Sequence, residues 1–199
     1  MNEIQRGQVI VMEDPSFWRT LTSDTRWAWV WLPLRLYLAY TFIESGTAKL
    51  TNPAWMQTGT ALRGFWQNAV AIGAHPVITY DWYRSFIQEM LGAQAYVWFA
   101  KVVAVGETTV GIALLLGAFT GIAAFTGGFL SWNFIMAGTA SVNALVFAIA
   151  TWLVLAWKTA GWIGVDRWLL PALGTPWHRG HLARTRMAHE QEREERLAG

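Results

Sequence analysis

Arg35, Glu44 and Lys49 lie within RLYLAYTFIESGTAKL, residues 35–50, a stretch that otherwise reads as the middle of a membrane helix. A charge at the centre of a bilayer costs about 3 kcal/mol on insertion scales, so three of them need partners or a function. A second apolar stretch, WFAKVVAVGETTVG, carries Lys101 and Glu107. Ionisable groups at such depth take up protons, hold the polar end of a small molecule, or pair between helices.

Depth sorts these residues. Counting inward from outer ends near Ala48 and Ala95, Glu44 lies about 6 Å deep and Lys101 about 9 Å, with Arg35 and Glu107 about 20 and 18 Å deep. The depths match Glu44 with Lys101 and Arg35 with Glu107, and leave Lys49 at the rim to snorkel to water. Arg35 and Glu44 point to opposite helix faces at about 100° per residue, so both pairs do not share one straight seam. Pro33 and Gly46 are places where the helix can bend. Tyr37 and Tyr40 lie near the Glu44 face with hydroxyls to donate, and Asn133, about 9 Å from the outer end of a later apolar run, reaches the same level. Three uses fit this set: pairs that fix the register of a bundle, a polar pocket in its outer half for a small molecule or protons, or a transport path.

The elements that must position these residues follow from composition. The chain has 199 residues, 54% of them hydrophobic and 14% charged, with mean hydropathy +0.27. Its fourteen tryptophans suit membrane–water boundaries, where an apolar ring lies in hydrocarbon and its N–H meets headgroup water. These features point to an all-α membrane protein. Windows of about 20 residues find four spans, near Trp27–Ala48, Ala95–Ala118, Thr120–Thr139 and Asn143–Ala160. The last three are joined by short turns. Residues 51–94 instead form a long first outer loop, in which MQTGTALRGFWQNAV and PVITYDWYRSFIQEMLG each have the apolar spacing of a short amphipathic helix. GWIGVDRWLLPALG after the last span is a third such segment. The expected fold is a four-transmembrane-helix bundle with short amphipathic helices in the first outer loop and after the last span.

Seven lysines and arginines fall in residues 158–199, three in the amino-terminal segment and two in 51–94. That asymmetry places both termini in the cytoplasm of a multi-pass cell (plasma or inner) membrane protein. Residues 1–26 form a cytoplasmic segment without the continuous apolar core of a cleaved export signal. Residues 27–177 form the membrane domain. Residues 178–199 form a charged tail, in which Glu192–Arg196 and Glu190–Arg193 have helical ion-pair spacing.

There is no cysteine, which excludes disulfides, thiolate metal sites and thioether-linked haem within this chain. The histidines (His75, His178, His181, His189) all fall outside the apolar runs. No metal site and no covalently bound cofactor are expected, and electron chemistry would use a diffusible carrier or a group on another subunit. Ala113–Gly117, Ala123–Gly127 and Ala124–Gly128 are spaced i,i+4 and let helices approach closely.

LRLYLAYTFIESGTAKLTNPAW, the Gly106–Glu107 step, LLGAFTG and AGWIGVDRWLLP, in this order, resemble the DoxX family of small four-helix membrane proteins. TYDWYRSFIQ and the aromatic-rich pattern are similar to its DoxD-like members, the large-subunit type of thiosulfate:quinone oxidoreductase. The resemblance covers about residues 27–177. It implies oxidation of thiosulfate to tetrathionate with electrons passed to quinone, quinone lying between the first two spans. In that role Glu44 and Glu107 handle protons, while Arg35, Tyr40, Lys101 and Asn133 hold the quinone. The implied partners are membrane lipid, quinone and a second protein subunit or larger membrane complex, with no nucleic acid. The alternative is a non-catalytic structural or accessory subunit whose charges serve packing alone.

Overall fold

The computed structural model describes residues 15–72 and 77–174, and among these the only regular structure is helix. A short α1 (Ser16–Ser23) and a 3-10 turn (Thr25–Trp27) lead into the long α2 (Ala28–Leu50). The next connection holds α3 (Pro53–Met56), α4 (Thr60–Val70) and α5 (Asp81–Gly92). Then come α6 (Tyr96–Leu116), α7 (Thr120–Met136) and α8 (Ser141–Leu155), followed by α9 (Trp157–Ala160) and α10 (Asp166–Leu173). The charged tail and the first fourteen residues lie outside the described residues, as do the four histidines.

The four apolar runs are the four long helices of one bundle, α2, α6, α7 and α8. Their shared core joins Leu38 and Phe42 of α2, Val110 and Leu114 of α6, Ala124 of α7, and Val146 and Leu153 of α8. Glycine sets the closest contacts. A Cβ on Gly46 would lie 2.6 Å from the backbone nitrogen of Thr108, and one on Gly111 would lie 2.8 Å from that of Ile43. Gly127 faces the Phe42 ring in the same way, and Gly128 faces Ala150. The small pairs at 123/127 and 124/128 therefore do lie at helix contacts. Gly117 acts differently. It ends α6 at φ +65°, a conformation that disfavours a side chain, and opens the tight hairpin into α7.

The outside of the bundle inverts the usual order of a globular protein. Val102, Val105, Ile112, Leu115, Ile122, Phe125, Phe129, Leu145 and Leu155 are all exposed along its length. By length and hydropathy, Tyr96–Leu116 meets the requirement for crossing a membrane, and Ser141–Leu155 is apolar but shorter. α2 has 23 residues but carries Arg35, Glu44 and Lys49.

The register of α2 on α6 differs from the one expected. Gly46 meets Thr108, Gly111 meets Ile43, and Gly117 meets Arg35, so the two helices run antiparallel with Leu50 level with about residue 103. Aligning Ala48 with Ala95 is therefore wrong by about ten residues, roughly 15 Å. The error has a physical cause. Apolar-run ends mark where hydrophobicity stops, whereas glycine contacts decide where helices touch. The first turns of α6 project past α2, and the amphipathic pair α4–α5 covers them. Leu62, Trp66, Tyr83 and Ile87 bury against Ala100 and Phe99 there, forming a second core.

Candidate functional site

The corrected register dissolves both expected pairs. Glu107 is 2% exposed in the middle of α6, and its carboxylate accepts from the Lys49 ammonium at 2.6 Å. Lys49 does not snorkel to the rim. Helical side chains lean toward the amino-terminal turn, which brings its Nζ back to Ser45 Oγ at 2.5 Å. Gly46, between them, lets α6 come close enough for Glu107 to complete the contact. The ammonium also lies 5.2 Å from the Trp55 ring centre and 5.8 Å from that of Phe134, so aromatic faces share its stabilisation.

This pair lines a half-open cavity of about 160 Å³ between α2, α6, α7 and α8, with Thr41, Ser45, Ser131 and Asn143 supplying its other polar groups. Buried ions are tolerated when paired and surrounded by further hydrogen-bonding groups, and here both conditions hold. A polar chamber of this size holds a few waters at about 30 Å³ each.

On the other side of Phe134 lies a second cavity, about 250 Å³, between the α4–α5 cap and the adjoining ends of α6 and α7. Its wall is aromatic: Phe65, Trp66, Tyr83, Phe86, Phe99, Phe129 and Phe134. The Tyr83 hydroxyl donates to the Asn133 backbone carbonyl at 3.0 Å, with the Asn133 Oδ1 at 3.3 Å. Burial pushes the Tyr83 phenol up to about 12, which keeps it a proton-bearing donor at any ordinary pH. Phe134 lines both cavities, so a single ring divides an aromatic slot from a buried acid and base.

At the opposite end of the bundle, Arg35 has a different set of partners. Its guanidinium donates to the carbonyls of Ala160 at 2.9 Å and Ile163 at 2.7 Å. Beside it, Asp166 is fully buried and accepts from the backbone N–H groups of Phe119 at 2.7 Å and Thr120 at 2.9 Å, capping α7 from a distant part of the chain. Phe119 has φ +49°, a strained conformation for a side chain, and the Asp166 contact holds it there. The Val165 and Asp166 N–H groups return to the carbonyls of Leu116 and Gly117. The segment expected to be interfacial thus contributes a buried carboxylate to a lock around the α6–α7 hairpin. Its Arg167 and Trp168 are exposed, as an interfacial segment requires.

Of the six expected site residues, the structure brings Glu107 and Asn133 to neighbouring cavities. Arg35 lies at the far end. Glu44, Tyr40 and Lys101 are exposed on the exterior, and Glu44 and Lys101 differ in level by roughly 12 Å. No hydrogen bond joins Tyr37 or Tyr40 to Glu44 among the described residues. Sequence reasoning missed Lys49 as the acid's partner, although the Ser45–Lys49 spacing is visible. Tyr83 and Phe134 carry no signal beyond being aromatic.

A family model described as DoxX matches residues 30–157. The chain belongs to the DoxX family. The matched segment runs from α2 through α8 and contains the ion pair, the α4–α5 cap and both cavities; the Asp166 side of the lock lies beyond it. DoxX proteins are membrane-associated and typically linked to redox and quinone systems. Among curated proteins and among solved structures, nothing matches the chain.

Proposed function

We propose that this DoxX protein is a four-span subunit of a quinone-linked redox system in the cell membrane, of the DoxD-like type that takes electrons from thiosulfate. The observation that carries this reading is the juxtaposition at Phe134. An aromatic slot with a hydroxyl donor stands one ring away from a buried Lys49–Glu107 pair in a polar chamber.

A membrane setting is supported by the apolar exterior and by the fate of the charges in α2. Arg35 and Lys49 turn inward to partners, which removes two of the three objections to that helix crossing lipid. α7 has 17 residues, the lower limit for spanning, and α8 with α9 continues to residue 160. Both termini lie in the cytoplasm on this reading, with the α4–α5 cap outside.

The slot suits a quinone ring. At about 250 Å³ it falls below the 300–1,000 Å³ typical of drug-sized ligands, so it takes a substituted ring while the isoprenoid tail leaves along the lipid face. Reducing quinone to quinol requires two electrons and two protons. Two thiosulfates joining as tetrathionate release the electrons, and the partner subunit handles that half-reaction. Tyr83 donates a hydrogen bond to a ring oxygen in place of Asn133. Glu107 takes the two protons one after the other from water in the polar chamber and gives each to a reduced ring oxygen across Phe134, and Lys49 balances its charge between turnovers.

A structural role as an accessory subunit has its own support: Glu107 is paired with Lys49, as a strut would be. Thiosulfate-dependent quinone reduction in membranes with the natural partner present separates the two. The catalytic reading expects Glu107→Gln to cut turnover at least tenfold while folded protein is retained. Unchanged turnover in that variant, or none in the wild type, leaves the accessory role.

A further inference from the structure

One side of the bundle exterior is not apolar. Tyr37, Tyr40, Glu44 and Thr47 follow one another at three- and four-residue spacing along the outside of α2, Leu36 lies one turn before Tyr40 on the same side, and all five are exposed, Tyr40 by 65%. Among the described residues no hydrogen bond or ion pair engages the Glu44 carboxylate. The exposed residues of α7, by contrast, are Ile122, Phe125 and Phe129.

Glu44 is six residues, about 9 Å, from Leu50 and sixteen residues, about 24 Å, from Ala28. Its side chain leans toward the distant amino-terminal end, so the short carboxyl cannot reach water past Leu50. Lys101 is exposed too, but it lies beyond the level of Leu50, and its long stem leans toward the nearby start of α6. Glu44 is thus the one exterior charge of the spanning helices that geometry leaves in hydrocarbon.

We propose that the Tyr37–Tyr40–Glu44–Thr47 stripe of α2 is the interface with a second copy of this chain. This inference rests on the membrane-spanning reading and extends it to an assembly. A two-fold axis along the membrane normal sets a surface against itself, so each donor it requires must already lie on that surface. The stripe meets this condition: it carries the Glu44 acceptor and the Tyr37 and Tyr40 hydroxyl donors within two helical turns. The axis keeps equivalent residues at one depth, which excludes pairing Glu44 with the partner copy's Lys101, roughly 12 Å away in level. Tyr40 of one copy is instead one turn from the other's Glu44. A second copy thus brings the Tyr40 hydroxyl within about one turn of each Glu44 carboxyl, and the two Glu44 side chains, level with each other, share those donors.

The absence of native cysteine makes the test direct. Single Leu36→Cys and Thr47→Cys substitutions are placed on the stripe, and Phe125→Cys and Leu145→Cys on the far exterior. Each is cross-linked in native membranes with a short bis-maleimide. The expected result is a dimer at the two stripe positions with at least fivefold the yield of the two controls, reduced to control level when Glu44→Leu is added. Equal yields at all four positions overturn the proposal. So does a stripe yield that survives Glu44→Leu, or a stripe adduct with a different protein. A dimer lost together with a rise in melting temperature in Glu44→Leu supports it. A higher melting temperature with no dimer in the parent means that Glu44 faces lipid alone, and overturns it. Alkaline carbonate extraction of the same membranes tests the premise separately: release of the protein contradicts the spanning reading and the interface with it, whereas retention without a stripe dimer contradicts the interface only.

Discussion

The Lys49 ammonium lies 2.6 Å from the Glu107 carboxylate, although Lys49 is at the end of its helix and Glu107 is in the middle of another. Two features produce this contact: the backward lean of a helical lysine and a glycine, Gly46, at the crossing. Removing one partner strands the other in a low-dielectric interior. Glu107→Gln or Lys49→Met alone should cost about 3 kcal/mol, the lower end of the range for buried pairs because the polar chamber hydrates the survivor. The double variant should cost less than the sum of the two. Unfolding in detergent across the four proteins measures this, and additive losses would mean that the two groups do not interact.

The lock at the other end makes a separate prediction. Asp166→Ala deprives two backbone N–H groups, that of Thr120 buried, of the acceptor that caps α7, so it should destabilise by about 2 kcal/mol. Arg35→Met should act in the same direction by exposing the carbonyls of Ala160 and Ile163 to an apolar neighbour. Both should leave quinone affinity of the surviving folded protein unchanged, because neither residue touches the cavities. Melting curves paired with ligand titrations check both halves of the statement.

Two glycines in the α2–α6 pair should respond oppositely to alanine. Gly46→Ala forces a methyl against the Thr108 backbone and should separate α2 from α6, breaking the ion pair as well as the packing. A Cβ at Gly106 meets nothing within 4 Å, so Gly106→Ala should stabilise α6 by about 0.5–1 kcal/mol. A melting-temperature comparison decides it, and destabilisation by both would contradict the antiparallel register.

Tyr83 gives a pH signature in the α4–α5 cap. Its phenol is raised by burial to about 12 from 10.0, so the folded state favours the protonated form. The stability it contributes is complete below pH 10 and is lost as pH rises toward 12. In an absorbance titration of phenolate formation, Tyr83 should ionise later than it does in the unfolded chain, and Tyr83→Phe should delete that late step. Titration of all five tyrosines near pH 10 would contradict the buried placement.

The helices are legible in the sequence, and the contacts between them are not. Apolar runs of 15 to 23 residues show where the long helices lie, and the spacing in ALRGFWQNAV shows one of the cap helices. Register is hidden because hydropathy is nearly uniform along α6, so it cannot say which residue faces Gly46. The same uniformity hides the Lys49–Glu107 contact. Asp166 reads as interfacial because its neighbours Arg167 and Trp168 are exposed, and the capped hairpin lies almost fifty residues away in sequence. Asn133 is recognisable as a polar group at depth, but its partner Tyr83 lies in a cap helix whose docking only tertiary structure reveals.

The most direct test of the central claim is to locate the quinone. A photoreactive quinone analogue, cross-linked to the protein in membranes and mapped by mass spectrometry, should label residues of the aromatic slot, with Tyr83, Phe99 and Phe134 foremost. Excess natural quinone should compete that labelling away, and Ala137→Trp, which fills the slot, should suppress it. Competable label on α2 around Tyr40 and Glu44, or label that Ala137→Trp leaves unchanged, would contradict the assignment of the slot beside the Lys49–Glu107 pair as the quinone site.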